Sequence, residues 1–428
     1  MHAVNNGPAG SAVRATGNDE AFARAGIPYA RNHDASFYSG YGGENTVDVH
    51  RIFRDFSADE QDPASYDFRA TDACVKRTLD SGTKVFYRLG AAIEHGVKRG
   101  TYPPADFEKW ARICEHIILH YNEGWADGYR YGIEYWEIWN EPDCKNADGS
   151  NPCWQGSEEE FIEFFCTALA YLKGRFPSLR IGGPAFCRGY GDFQHALLRE
   201  VKRRGLPLDF YSYHCYKNDP EKVRFAIDTT NAMIEECGLG GIETVLNEWN
   251  YVDGWLGADF TRSIRTIKGL KGASYTSAVM CIGQEKPLDM LMYYDARPCT
   301  FCGMFNTDLL TPLKGYYPFL IFGELYRLGE CVSVDGLPER VYGCAARGEQ
   351  GGGLMLTYFD NSAESGSKVL SLEIELGPGR SYTVEKFILD ESSDMESVSV
   401  ECIEGGGAIE LELGLNEVVY YRFARKNC

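Results

Sequence analysis

Two glutamates stand in strings whose residue types suit acid–base chemistry. Glu141 lies in Tyr135–Asp143, which reads YWEIWNEPD, and Glu248 lies in Thr244–Asn250, which reads TVLNEWN. Each follows an asparagine and closes a run of β-branched and aromatic residues, the pattern of a buried strand. Pro142 is expected to stop the first run, because proline has no ladder donor. Two carboxyl groups in unlike surroundings can protonate a leaving oxygen and offset a cation-like transition state, which is what breaking a glycosidic bond demands. Asn140 adds an amide able to donate to a sugar 2-hydroxyl. A single glutamate in such a place is more often a helix cap or the partner of an arginine. Two Asn-Glu strings at two strand ends favour the chemical reading.

Those strings need a scaffold that aims both at one point. Short apolar runs at Ala3–Asn5, Ile27–Asn32, Lys84–Leu89, Tyr135–Trp139, Arg180–Gly183, Asp209–His214, Glu243–Asn247 and Met290–Tyr294 read as strands. Between them lie helical stretches such as Pro104–Tyr121, Ser157–Phe176, Phe193–Arg204 and Pro220–Cys237. In the first of these, Phe107, Trp110, Ile113, Cys114, Ile117 and Ile118 fall on one helical face. Prolines 103 and 104, and later Pro220, suit first-turn positions. Eight such units without a dinucleotide fingerprint predict an α/β fold, a closed (β/α)8 barrel over residues 1–315. In that barrel the fourth and seventh strands face each other across the mouth, at the end where barrel enzymes place their chemistry.

A bridging helix is expected over 316–330, centred on Tyr316–Leu328. An antiparallel β-sandwich is expected over 331–428. Its runs are Arg340–Ala346, Gly353–Phe359, Val369–Leu376, Tyr382–Leu389, Ser397–Ile403, Ala408–Leu413 and Glu417–Phe423. Turn signals at Gly351-Gly352-Gly353, Gly377-Pro378-Gly379 and Gly405-Gly406-Gly407 separate most of them.

Lys and Arg total 43 against 62 Asp and Glu, a net charge of −19 over 428 residues. That surface repels phosphate backbones and anionic headgroups, so neither nucleic acid nor a membrane is an expected partner. A neutral glycoside or oligosaccharide is unaffected, and a homo-oligomer is compatible. The opening residues MHAVNNGPAG lack a basic stretch followed by an apolar one, and the 15 cysteines lack a disulfide-scaffold pattern. Both predict a cytoplasmic protein with reduced thiols, or a secreted one if a leader precedes it. Cys144 and Cys153 after the fourth strand, and Cys299 and Cys302 after the eighth, leave room for a disulfide or a zinc site. Loop thiols are the simpler reading, and neither a metal nor a cofactor is expected. Arg31 and His33 share strand parity, so both can point into the mouth, Arg31 to steady Glu248 as a carboxylate or to bridge barrel layers. Asp253, Trp255 and Asp259 follow Glu248 and suit a substrate groove or an ordinary exposed loop.

These residues carry a family resemblance. The Asn-Glu-Pro string and the strand-end Glu248 resemble the retaining glycosidases of clan A. The segments ARNHD (30–34), VDVHRIFRDFSADEQDPASYDF (47–68) and WNEPD resemble glycoside hydrolase family 39, the β-xylosidase and α-L-iduronidase family. The resemblance implies a retaining glycosidase with Glu141 as acid/base, Asn140 as its partner and Glu248 as nucleophile. It implies that His33 and His214 touch the sugar and that Tyr216 holds the nucleophile. The eighth strand departs from the family's Trp and acidic pair: MLMYYDARPC (290–299) leaves Asp295 as the acidic candidate and Tyr294 as a platform. The sugar is therefore open among β-xylosidase, α-L-arabinofuranosidase, β-glucosidase and β-galactosidase substrates. A non-catalytic carbohydrate-binding protein is the alternative of another class.

Overall fold

The computed structural model describes residues 1–11, 16–34, 46–94, 97–349, 351–375, 381–404 and 406–426. Turn residues 377–379 and Gly405, and the last residue of the strand expected at Val369–Leu376, lie outside the described residues.

Eight parallel strands close a barrel: β1 (His2–Asn5), β2 (Tyr29–Asn32), β3 (Lys84–Leu89), β4 (Tyr135–Ile138), β5 (Arg180–Phe186), β6 (Phe210–Lys217), β7 (Glu243–Tyr251) and β8 (Met290–Tyr293). β1 pairs with both β2 and β8, so the short first strand is what completes the ring. Helices α1 (Asp19–Ala25), α2 (Val49–Ile52), α3 (Arg69–Asp80), α4 (Phe107–Asn122), α5 (Glu158–Arg175), α6 (Asp192–Arg204), α7 (Pro220–Glu236), α8 (Gly257–Ile267) and α9 (Leu270–Glu285) connect the strands. α10 (Tyr316–Leu328) follows the barrel, as the apolar pattern predicts. None of the described helices is long and apolar enough to cross a membrane.

Local chemistry explains the helix starts. Ser157 and Glu160 form a reciprocal capping box on α5, which satisfies two orphan N–H groups. Asp219 caps α7 and Pro220 takes its first position. At α4 the cap is Asp106, whose side chain accepts from Lys109 N, so the two prolines precede the helix and are not part of its first turn.

Inside the barrel, side chains stack in layers of opposite character. Ala3, Tyr29, Phe86, Tyr135, Phe210, Val245, Met290 and Met292 form an apolar base. One pleat step higher, Asn5, Arg31, Arg88, Glu137, Ser212 and Asn247 are all fully buried and polar. Strand alternation puts every second residue inward, so an apolar residue and its polar successor two places on share the interior.

The C-terminal strands are β9 (Glu330–Val332), β10 (Val341–Gly348), β11 (Gly351–Tyr358), β12 (Ser367–Glu375), β13 (Ser381–Leu389), β14 (Asp394–Glu404), β15 (Gly406–Gly414) and β16 (Val418–Arg425). They form a six-stranded sheet, ordered β9-β10-β11-β16-β13-β14, and a two-stranded ribbon, β12-β15. The strand β9 was not expected from the sequence. The two faces of the large sheet are both used. Tyr342, Cys344, Met355, Val418 and Tyr420 join the apolar core of the barrel helices, whereas Leu354, Leu356, Val419 and Tyr421 meet Leu370, Leu411 and Leu413 of the ribbon.

The sheet therefore shares the barrel's core. Met355 is fully buried there, so Met355→Ala is expected to cost about 2–5 kcal/mol of unfolding free energy. Urea unfolding followed by circular dichroism checks this, and an unchanged midpoint would show the sheet to be loosely attached.

Candidate active site

Glu141 reaches the barrel mouth because the chain breaks strand geometry just after β4. Trp139 and Glu141 both take left-handed backbone angles, φ 77° and 49°. Such angles are rare in residues with a Cβ and persist only where the surroundings enforce them. Trp139 is enforced by packing: its Nε1 donates to Cys153 O at 3.0 Å, and its ring meets Trp154 and Phe164 edge-on. Gly90, at φ 117°, lets it sit this close, since a Cβ there would lie 3.0 Å from the Trp139 backbone. The Glu141 N–H then donates to Ala185 O at 2.9 Å, which fastens the turn to β5. The break thus falls three residues before Pro142, where the sequence had suggested the stop.

Glu248 is delivered differently. β7 runs past it to Tyr251, so Glu248 lies within the strand and not at its end. The pairing of β6 with β7 shifts register between Tyr213↔Leu246 and His214↔Glu248. The extra residue, Asn247, makes two consecutive side chains point inward, as a bulge does. Asn247 Nδ2 donates to Glu137 Oε1 at 2.6 Å, and Glu248 faces Arg31.

Arg31 ties the two strings together from below. Its Nε donates to Glu137 Oε2 (2.6 Å), its Nη1 to Glu248 Oε1 (2.8 Å) and Asn5 Oδ1 (3.0 Å), and its Nη2 to Asn140 Oδ1 (2.6 Å). Burial opposes its charge, but Glu137 and Glu248 outweigh burial and hold the guanidinium above its usual range. Because Asn140 accepts through Oδ1, its Nδ2 is the atom left to meet a substrate hydroxyl. Tyr216 OH donates to Glu248 Oε2 at 2.7 Å. Burial, then Glu248, keep that phenol protonated.

The two carboxylates meet. Glu141, His214 and Glu248 each place one oxygen or ring nitrogen within 4.8 Å of the others. His214 Nδ1 lies 2.8 Å from Glu141 Oε1, and its Nε2 lies 3.5 Å from Glu248 Oε1. Burial lowers the His214 pKa to about 4, so the ring is neutral at pH 7. Burial, then the nearby Cys144, push the Glu141 carboxyl up to about 7. Burial lifts Glu248 as well, against the pull of His214, Arg31 and the Tyr216 hydroxyl. Glu141 can therefore hold a proton, while the guanidinium and phenol favour charge on Glu248. With His214 neutral, protonated Glu141 donates Oε1–H to Nδ1, and Nε2–H faces Glu248.

This geometry bears on what the molecule is related to. The model of "Glycosyl hydrolases family 39" matches residues 37–246. A curated β-xylosidase of Geobacillus stearothermophilus is 28% identical over 190 residues, 41% of this chain and 35% of that protein. The chain thus matches about a third of that relative's length. The chain is similar to glycoside hydrolase family 39. Among solved structures, a glucosidase from Croceicoccus marinus superposes over 100% of this chain and 96% of its own, with TM-score 0.80 and 20% identity. The GH39 enzyme from Xanthomonas axonopodis pv. citri covers 95% of this chain and 90% of its own, with TM-score 0.70 and 15% identity. Both share the fold along almost the whole length. The match to family 39 includes Asn140 and Glu141 and ends two residues before Glu248.

The remaining expected residues fall around this pair. His33 Nε2 lies 3.7 Å from Glu248 Oε1. Arg88 fixes that ring, donating to His33 O (2.6 Å) and to Nδ1 (3.3 Å). Asp295 is fully buried, with both oxygens engaged by Asn6 Nδ2 (2.9 and 3.0 Å) and by Arg297. Asp34 accepts from Tyr294 OH at 3.3 Å, and Arg297 Nη2 lies 3.3 Å from its carboxylate. Asp34 and Arg297 thus complete a wall that sequence reasoning missed. Tyr216, Tyr294 and Phe301 pack edge-on or tilted beside Glu248, and Trp255, 55% exposed, stands at their outer edge. Asp253 is engaged by Asn218 and Tyr251, and Asp259 by Arg262, whereas Trp255 and its neighbour Leu256 are exposed. Cys299 lies 3.6 Å from Asp295, and Cys302 lies 3.6 Å from Ala296 O. Neither joins a group of potential metal ligands among the described residues. Glu137, Asn6, Arg88 and Cys187 were also missed. Glu137 had a readable cue, because it is two residues beyond the inward-facing Tyr135.

Replacing Arg31 by Lys keeps one charge and loses the fork. Glu248 then loses its close guanidinium contact, so its carboxyl should titrate at higher pH. The acidic limb of kcat/KM is expected to move upward and kcat to fall by about 100-fold, a loss like that of one transition-state contact. An unmoved acidic limb would remove Arg31 from the control of Glu248.

Proposed function

We propose that this protein is a retaining glycoside hydrolase that releases terminal sugars, most similar in action to a β-xylosidase. The observation that carries this reading is the approach of the Glu141 and Glu248 carboxylates, within 4.8 Å at their nearest oxygens. A separation of about 5–5.5 Å suits direct attack on the sugar, whereas inverting enzymes need about 6.5–9.5 Å to admit a water.

The steps follow from the environments of the two groups. A Glu248 oxygen attacks the anomeric carbon as Glu141 passes its proton to the departing oxygen. One carbon–oxygen bond forms and the other breaks. Ester formation removes the charge on Glu248, which lowers the Glu141 pKa and readies it as a base. Glu141 then takes a proton from water, whose oxygen displaces Glu248 from the same carbon. Two inversions give net retention. Arg31 and Tyr216 hold the departing Glu248 carboxylate, and Asn140 Nδ2 is placed for the 2-hydroxyl, where a hydrogen bond strengthens at the transition state. Trp255 offers a flat apolar face to a sugar ring beyond the reacting one.

The β-xylosidase relative supports a xyloside substrate, and the glucosidase of like fold brings a glucoside into consideration. They divide on whether the sugar carries a hydroxymethyl group. β-Glucosidase is accordingly the second reading. A panel of nitrophenyl glycosides, with proton NMR of the first-formed anomer, tests both. Hydrolysis of the xyloside with retained configuration is expected, and an inverted first product would overturn the proposal.

Glu248→Ala should abolish turnover, and azide should restore a glycosyl azide of inverted configuration. Glu141→Ala should spare aryl glycosides with good leaving groups far more than natural linkages, and equal loss on both would count against its role as acid. Because Glu141 must be protonated for the first step and titrates at about 7, kcat/KM for poor leaving groups should fall as pH rises through about 7. That basic limb should weaken for nitrophenyl substrates, which need less protonation. A pH–rate comparison of the two substrate types reads this directly.

A further inference from the structure

Three thiols surround the acid/base carboxyl, and none takes part in a bond-making step of the proposed hydrolysis. Cys144 follows Glu141 in the β4–α5 loop, and Cys187 is the first residue after β5. A carboxylate oxygen of Glu141 and the Sγ atoms of Cys144 and Cys187 all lie within 4.8 Å of one another. The Cys153 Sγ lies 3.8 Å from Glu141 Oε2. The loops that bring them here are cross-tied. Cys187 N donates to Asp143 Oδ1 at 2.8 Å, Gln194 Nε2 to Asp143 Oδ2 at 2.8 Å, and Asn151 Nδ2 to Pro142 O at 2.7 Å. Glu141, Cys144 and Cys187 are each half-buried, so the cluster keeps some contact with solvent, whereas Cys153 is buried.

We propose that Glu141, Cys144 and Cys187, with Cys153 alongside, form an inhibitory site for a thiophilic divalent cation of the zinc type. Zinc–sulfur bonds of about 2.3 Å and zinc–oxygen bonds of about 2.0–2.2 Å in a tetrahedron place neighbouring donor atoms about 3.5–3.8 Å apart. Contacts no longer than 4.8 Å close to that spacing with shifts of about 1 Å, within the reach of side-chain rotation. Sulfur-rich donors select soft ions over calcium and magnesium, which take oxygen shells. Binding is a ligand exchange without redox: thiol protons and the Glu141 proton leave to solvent, and the cation takes their place. With its oxygen on the ion, Glu141 has no proton to give and cannot act as base. That consequence rests on the acid/base role proposed above; the binding itself rests on the cluster alone.

A second grouping, Glu141, His214 and Glu248, shares one of these ligands and offers nitrogen and oxygen in place of sulfur. The experiment separates the two. The whole protein, reduced and treated with chelator, is titrated with Cd²⁺ while the ultraviolet thiolate-to-cadmium charge-transfer band is followed. Zn²⁺ inhibition of nitrophenyl glycoside hydrolysis, and its reversal by EDTA, is measured in parallel. The expected result is a band that saturates at one equivalent, with reversible zinc inhibition. In Cys144→Ser/Cys187→Ser the band should be lost and the zinc concentration for half-inhibition should rise by about 100-fold or more. The single variant Cys187→Ser, at a half-exposed position, serves if the double variant does not fold. No band, a band that survives the double substitution, or zinc inhibition unchanged by it would overturn the proposal, the last by placing the ion on His214 and Glu248. The band is read without substrate, so it judges the ion site whatever the hydrolysis assays return.

Discussion

A single guanidinium, buried in the barrel, is the constraint on which the site depends. Arg31 has no access to water, so its charge has to be balanced and its donors filled from within. Three strands answer the demand of this β2 residue: β1 through Asn5, β4 through Glu137 and just beyond it Asn140, and β7 through Glu248. Removing one member of such a group leaves an uncompensated buried charge, at a cost of about 3–5 kcal/mol. The barrel thus holds Glu248 in position with the same bonds that satisfy its own interior. Glu137 finishes the set by accepting from Ser212 and Asn247 at 2.6 Å each, which brings β6 into the network.

That layer also fixes how the two carboxyls differ. Glu248 rests on Arg31 and Tyr216, donors that stabilise its charge. Glu141 rises above the layer on two left-handed residues and meets a neutral histidine and thiols, none of which supplies a positive charge. Equal burial would raise both; unequal donors separate them. The difference between the two carboxyls therefore comes from where each sits on the barrel and what faces it, and not from anything intrinsic to glutamate. Arg88 and Asp48 repeat the device on a smaller scale, where a fully buried pair at 2.6 Å holds His33 by its ring and carbonyl.

Much of this was legible in the chain. Short apolar runs and the helical spacing between them placed the eight barrel strands and the main helices to within a few residues, and the Asn-Glu strings marked both glutamates. What escaped was whatever depends on register. The bulge at Asn247 is invisible to alternation, because it exists only in how β7 pairs with β6. Asn6, Arg88 and Arg297 lie on separate connections or strands and acquire a role only once the ring closes. Cys187 follows a strand read as ending at Gly183, so its approach to Glu141 could not be foreseen from spacing. In the C-terminal region the strands were readable, but their division into a six-stranded sheet and a two-stranded ribbon was not. Alternating apolar residues on both faces say that two surfaces are covered, without saying by what.

The thiols around Glu141 are part of what keeps its surroundings free of positive charge. Raising a carboxyl toward neutrality requires burial without a strong positive neighbour, and cysteine supplies bulk and weak polarity without charge. The same choice has a chemical consequence that a ring of leucines would not have, since sulfur beside a carboxylate is a set of ligands for a soft ion. A positively charged residue in place of the cysteines would remove that affinity and, by pulling the Glu141 pKa down, would also leave that carboxyl without its proton at neutral pH. Proton donation and openness to a thiophilic ion are therefore two outcomes of one local arrangement at the end of β4.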